Sequence, residues 1–103
     1  MRIELLYVSG CPHHDETLAL VKRVVEEERI VAGIEEIEVA DAAQAKALGF
    51  LGSPSVRIDG RDIEPGARER GDFGLSCRVY ADGARYSGIP PRELIRAALA
   101  RAH

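Results

Sequence analysis

Residues 51–60 read LGSPSVRIDG, and the folding of this stretch decides the order of everything around it. Val56 and Ile58 alternate with Ser55, Arg57 and Asp59, the period-two pattern of a strand with one buried face, and Gly60 supplies a turn. The strand therefore starts directly after Pro54, an entry position where a missing N–H removes no ladder hydrogen bond. Upstream, Asp41 is expected to cap an alanine-rich helix over 42–48 that stops at Gly49. Before that helix, Glu36-Ile37-Glu38-Val39 alternates as a half-exposed strand. Leu18, Val21 and Val25, with Leu20 and Val24, form an i, i+3, i+4 stripe, so a helix is expected from Pro12 that stops by Gly33. Arg2 to Val8 is short and apolar enough to be a buried strand. The first half of the chain thus reads strand, helix, strand, helix, and leads into the strand after Pro54.

Downstream, residues 60–76 (GRDIEPGARERGDFGLS) are rich in Gly, Arg and acid without a period, and a long loop is expected. Residues 77–88 (CRVYADGARYSG) predict a hairpin around Asp82-Gly83, a pair suited to the positive φ angles of a type I′ turn. Pro90-Pro91 then precede a helix over 93–101 with Leu94, Ile95, Ala98 and Leu99 on one face. No repeat or low-complexity segment interrupts this order, and residues 1–103 are expected to form one α/β domain.

Composition narrows the function classes. The 103 residues are 46% hydrophobic and 30% charged, a globular balance large enough for one core. A net charge of −3 argues against nucleic acid or an anionic membrane as partner, and three tyrosines, two phenylalanines and no tryptophan leave little for stacking on bases. No apolar run is long enough to span a bilayer, and MRIELLYV lacks the layout of a signal peptide, so a cytoplasmic location is expected. In a reduced compartment the two cysteines, Cys11 and Cys77, are expected to be thiols or a transient pair.

The chemistry-bearing stretch is SGCPHHDET, residues 9–17. If a helix begins at Pro12, Cys11 sits at its N-cap, where unpaired backbone N–H groups and the helix dipole favour a thiolate. Cysteines so placed have pKa values of roughly 3.5 to 7.5 instead of about 8.5, which makes a nucleophile at neutral pH. Protonated His13 and His14 would reinforce this, while Asp15 and Glu16 oppose it. The plain alternative is a small buried residue in a tight turn. Cys11, His13 and His14 are also one soft and two borderline ligands for copper(I), zinc or mercury(II), a site Cys77 could complete. Adjacent helical residues point about 100° apart, so both imidazoles reach one ion only from an irregular first turn. Arg57, Arg61, Arg68, Arg70 and Arg78 could hold an anionic thiol, but interspersed acids favour a self-paired, solvated loop. The tyrosines are read as packing residues, with Tyr86 the one placed near the site.

The element order, with Cys11-Pro12 at the first strand–helix junction and Ser53-Pro54 opening the third strand, resembles the thioredoxin fold over nearly the whole chain. More narrowly, LGSPSVRIDGRDI, GLSCRVYADG and GIPPRELIRAAL look like small bacterial thioredoxin-like proteins, some associated with alkylmercury lyases. The resemblance implies a central mixed β-sheet flanked by helices and a cis Ser53–Pro54 bond beside a nucleophilic Cys11. It also implies thiol–disulfide exchange or thiol transfer without a cofactor. Ser53 and Pro54 would hold the substrate's extended backbone or a small thiol, with Pro12 and His14 on the substrate side. The expected partner is a thiol or disulfide, either a protein or a small thiol such as glutathione.

Position 14 is His, so a mixed disulfide on Cys11 cannot be resolved one helical turn away. Resolution falls either to an external thiol, as in monothiol glutaredoxins, or to Cys77. If 78–81 pairs with the third strand, Cys77 lies far from Cys11 and is structural. If 84–87 is the fourth strand, which the passage YSGIPPRELI favours, Cys77 begins near Cys11.

Overall fold

The computed structural model describes residues 1–102, apart from the Arg68 side chain. Four strands form one mixed sheet: β1 (Arg2–Tyr7), β2 (Gly33–Glu38), β3 (Ser55–Ile58) and β4 (Arg61–Asp62), in the order β2-β1-β3-β4. β1 runs parallel to β2, from Arg2 beside Gly33 to Tyr7 beside Glu38. β3 is antiparallel to β1, with Ile3 opposite Ile58 and Leu6 opposite Ser55, and β4 is antiparallel to β3. Three α-helices are present among the described residues: α1 (His14–Glu27), α2 (Ala42–Leu48) and α3 (Arg92–Ala102).

Central β1 is buried on both faces because the adjacent Leu5 and Leu6, with Ile3, put apolar side chains on each of them, while Glu4 is only half-buried. Successive strand residues point to opposite faces, and the core divides accordingly. Ile3 and Leu5 join Val56 and Ile58 against Val21, Val24 and Val25 of α1 and Ile95, Ala98 and Leu99 of α3. Leu6 turns the other way, onto Val39, Ala45 and Phe50. Helices α1 and α3 therefore cover one face and α2 the other. Each fully buried aliphatic side chain contributes about 1.5–3 kcal/mol, so the sheet is fixed from both sides. β2 forms an edge, and its exposed Glu35, Glu36 and Glu38 discourage pairing with another chain.

Local signals set the helix ends. Asp41 caps α2 as expected, accepting from Gln44 N–H at 2.7 Å, while the Gln44 side chain returns to Ala40 N–H at 2.9 Å. Gly49 closes the helix at φ +64°. α1 departs from expectation at its start and ends within the expected limit of Gly33. It starts at His14 rather than Pro12, with His13 at the N-cap. It stops at Glu27, well before Gly33, because Arg29 takes a left-handed φ of 56°. The Arg29 and Ile30 N–H groups donate to Glu26 O and Val25 O, the paired bonds of a Schellman stop formed here without glycine. β2 consequently begins at Gly33, earlier than the alternation at 36–39 indicated.

The second half corrects the expected strand order. The strand beside β3 is Arg61–Asp62, inside the segment read as a loop; two residues are too few to show a period. Residues 80–87 do form a hairpin, β5 (Tyr80–Asp82) and β6 (Arg85–Ser87), but as a separate two-stranded sheet. Neither 78–81 nor 84–87 pairs with the main sheet. Asp82 pairs with Arg85, so the turn is Gly83-Ala84 with positive φ at Gly83 only. That is the type II′ pattern, one residue beyond the expected type I′ pair. No helix among the described residues is long and apolar enough to cross a membrane.

Candidate functional site

β1 ends in two consecutive turns that position Cys11. Cys11 N–H donates to Val8 O at 3.1 Å, closing a turn in which Gly10 takes φ +79°; that third position of a type II turn requires positive φ. His14 N–H then donates to Cys11 O at 3.4 Å across Pro12 and His13, where Pro12 presets the turn. Cys11 therefore stands two residues before the N-cap rather than on it, because Pro12-His13 makes a turn of its own before the helix starts. Its side chain is half-buried.

The two histidines diverge. The His14 ring stacks on Tyr7 at a centroid separation of 3.8 Å, and its Nε2 lies 2.7 Å from Glu36 Oε1. A carboxylate only accepts, so Nε2 carries the proton. His13 packs instead on Gly88, where a Cβ would fall 2.4 Å from the His13 ring. With one imidazole on the β1–β2 side and the other beside the approach to α3, Cys11, His13 and His14 do not converge. Among the described residues no group of three or more His, Cys, Asp or Glu is placed to hold a metal ion. Tyr7 stands at this corner, stacked on His14, while Tyr86 is 77% exposed.

The Ser53–Pro54 peptide bond is cis, as the resemblance implied. Buried Ser53 is a junction. Its Oγ accepts from Val8 N–H at 3.1 Å, tying it to the residue that holds Cys11. Its N–H donates to Ser76 O at 2.8 Å and its C=O accepts from Arg78 N–H at 3.0 Å, a parallel bridge opposite Cys77. The Ser53 backbone, expected to hold substrate, is thus already paired with the chain's own 76–78 segment. Gly52 makes the approach possible: it has φ +121°, and a Cβ there would lie 3.1 Å from Arg78 N and Ser76 O.

Cys77 is exposed, while Arg78 beside it is 2% exposed. The Arg78 guanidinium donates to both carboxylate oxygens of Asp62 (2.6 and 2.8 Å), to Ser55 Oγ (3.0 Å) and to Glu64 (3.4 Å), and lies over the Tyr80 ring. Burial disfavours its charge, but the Asp62 hydrogen bonds, with the Tyr80, Asp62 and Glu64 charges, outweigh burial and hold its pKa above the ordinary value. Arg78 Nε lacks a partner among the described residues. Tyr80 OH donates to Pro54 O at 2.6 Å. A buried ionic cluster, invisible as such in a segment read as solvated loop, therefore anchors the Cys77 strand to the start of β3. Elsewhere self-pairing holds for Arg70, which binds Asp72 and Glu64, whereas Arg57 donates instead to the backbone carbonyls of Leu48 and Gly49. The Arg68 side chain lies outside the described residues.

Burial pushes the Tyr80 hydroxyl up in pKa, with the Arg78 charge pulling against it. A folded-state value above the unfolded one means this stabilisation is present below the ordinary phenol pKa of about 10 and is lost as pH rises beyond it. An alkaline absorbance titration is expected to show one tyrosine ionising only as the protein unfolds. Tyr80→Phe should remove that step; an unchanged titration in the variant would contradict the assignment.

Clefts of about 380 and 410 Å³ flank β3 and β4, and neither cysteine lines them. The hydrogen-bonded corner at Ser53, which ties together the Cys11 and Cys77 segments, lies outside both clefts. Sequence reasoning missed Glu36 and Tyr7 as partners of His14, and Asp62, Glu64 and Tyr80 as partners of Arg78. The shared parity of Arg78 and Tyr80 was the available signal for the second group. Comparisons with protein-family models, curated proteins and solved structures found no match to this chain.

Proposed function

We propose that the protein is a thioredoxin-like thiol–disulfide oxidoreductase in which Cys11 and Cys77 form the exchanging pair. One observation carries the reading: both cysteine-bearing segments are hydrogen-bonded to Ser53, one through Val8 and the other through the Ser53–Cys77 bridge. Two cysteine-bearing segments distant in sequence thus share one anchoring residue. The β2-β1-β3-β4 order, with helices on both faces, supports the fold expected from the resemblance.

With a small disulfide, the Cys11 thiolate attacks one substrate sulfur, a Cys11–substrate bond forms and the other half leaves as a thiol after taking a proton. The Cys77 thiolate then attacks the Cys11 sulfur, giving a Cys11–Cys77 disulfide and releasing the remaining half. The protein is oxidised by two electrons and the substrate reduced by two; an external thiol returns the protein to the dithiol state. His14 is held by Glu36 and Tyr7 and shapes the floor before α1. The soft-metal alternative gains no support from the diverging imidazoles.

Peptide mapping by mass spectrometry after treatment with excess hydroxyethyl disulfide tests this. An internal Cys11–Cys77 link is the expected product. A stable small-thiol adduct on Cys11 with Cys77 still free would replace the scheme with a monothiol cycle, and an unreactive Cys11 would remove both.

A further inference from the structure

The 75–79 backbone has one side engaged and one side open. In an extended segment the hydrogen-bonding groups of neighbouring residues point to opposite sides. Ser76 O and Arg78 N–H face Ser53, so the N–H and C=O of Cys77 face outward. Among the described residues these groups, and the N–H groups of Leu75 and Val79, have no backbone partner.

From Cys77 onward the side chains follow the same alternation, with Cys77 and Val79 (57%) exposed and Arg78 and Tyr80 turned inward; Leu75 (47%) and Ser76 are both exposed, where Ser76 N–H closes a tight turn onto Gly74 O at 3.0 Å. Nothing guards the edge in the usual way, since it carries no proline and its one charge is buried in the Asp62 cluster. That cluster, the Tyr80–Pro54 bond and the tight approach at Gly52 hold the inner side against Ser53. A polypeptide therefore finds the Ser53 edge closed and the Cys77 edge open.

We infer that the outer edge of Leu75–Val79 is a docking strand for an extended polypeptide disulfide, one with apolar residues alternating about its cysteine. The inference rests on the dithiol reading above and names its substrate class. Free backbone groups supply the pairing, Leu75 and Val79 select apolar neighbours, and the thiol that meets the docked chain is Cys77. The Cys77 thiolate bonds to the facing substrate sulfur as the substrate S–S bond breaks, and the displaced half leaves as a thiol. Cys11 then attacks the Cys77 sulfur, forming the internal disulfide and freeing the docked chain as a thiol. Small disulfides, which need no strand pairing, enter at half-buried Cys11, whereas polypeptides enter at Cys77.

The probe is a synthetic peptide of alternating Val and Thr around one cysteine carried as a thionitrobenzoate disulfide, with the cysteine thionitrobenzoate disulfide as small reference. In Cys11→Ser, chromophore release is expected about tenfold faster from the peptide than from the reference, and mass spectrometry should find the peptide on Cys77. Methylating the peptide nitrogens that flank its cysteine, or Leu75→Asp with Val79→Asp, should erase that ratio. Equal rates for plain and N-methylated peptides, a peptide adduct on Cys11 in wild type, or self-association that blocks the edge would each overturn the inference. Failure of the dithiol reading shows separately, as wild type treated with the small disulfide that yields no Cys11–Cys77 link.

Discussion

Alanine at position 78 is expected to lower the unfolding free energy by about 3–5 kcal/mol, measured by denaturant unfolding followed by far-ultraviolet circular dichroism. The side chain removed is the cation that neutralises Asp62 and Glu64 where little water reaches them. Its loss leaves a mostly buried carboxylate with no countercharge, held only by the Glu64 N–H, and opens a void against Tyr80 and Ser55. Domains of this kind are held by only about 5–15 kcal/mol in all, so Arg78→Ala stands near the edge of folding at body temperature. The paired replacement Arg78→Met with Asp62→Leu removes charge and countercharge together and is expected to recover most of the loss. A single variant within about 1 kcal/mol of wild type would mean that the cluster behaves as a surface pair. Lysine at 78 is expected to rescue only part, because an ammonium cannot bind both Asp62 oxygens in the fork that guanidinium makes.

The second large effect is on turnover. Cys11→Ser is expected to cut multiple-turnover reduction of hydroxyethyl disulfide by on the order of 10³-fold or more, the scale seen when a nucleophile is removed. Cys77→Ser should behave differently. The first exchange proceeds, the adduct remains on Cys11, and turnover becomes proportional to added thiol because nothing within the chain resolves it. Steady-state rates at several thiol concentrations, with intact-mass analysis of the trapped species, separate the two variants. Identical phenotypes, or full activity in Cys11→Ser, would sink the pairing of these thiols at Ser53.

The half of the chain before β4 was legible because its residues obey strong local rules. Val56 and Ile58 alternate, Asp41 and Gly49 bracket α2, and the Leu18 to Val25 stripe marks α1. What escaped was set by contacts between distant positions or by signals below the length of a period. Strand β4 has two residues and pairs only because Ile58 and Arg57 stand beside it. Arg29 stops α1 in a conformation that glycine usually supplies, so the stop signal was sought at Gly33. Arg78 looked solvated because arginine usually is; its burial depends on Asp62, sixteen positions away, and no composition argument couples the two. At the candidate site, the segments that carry Cys11 and Cys77 both reach Ser53, one through Val8 and the other through the backbone bridge, and the Ser53–Pro54 bond is cis. The expected helix N-cap at Cys11 gave way to a turn that Pro12 favours, and the expected open Ser53 backbone proved to be occupied.

The contact between His13 and Gly88 carries a consequence for descent. An imidazole fills the space that any Cβ at 88 would enter, so the two positions share one fixed volume. Lineages that keep this geometry are expected to change them jointly, with a larger residue at 88 accompanied by a smaller or re-oriented side chain at 13. Such covariation would tie the entry to α3 to the turn after Cys11 across generations of mutation.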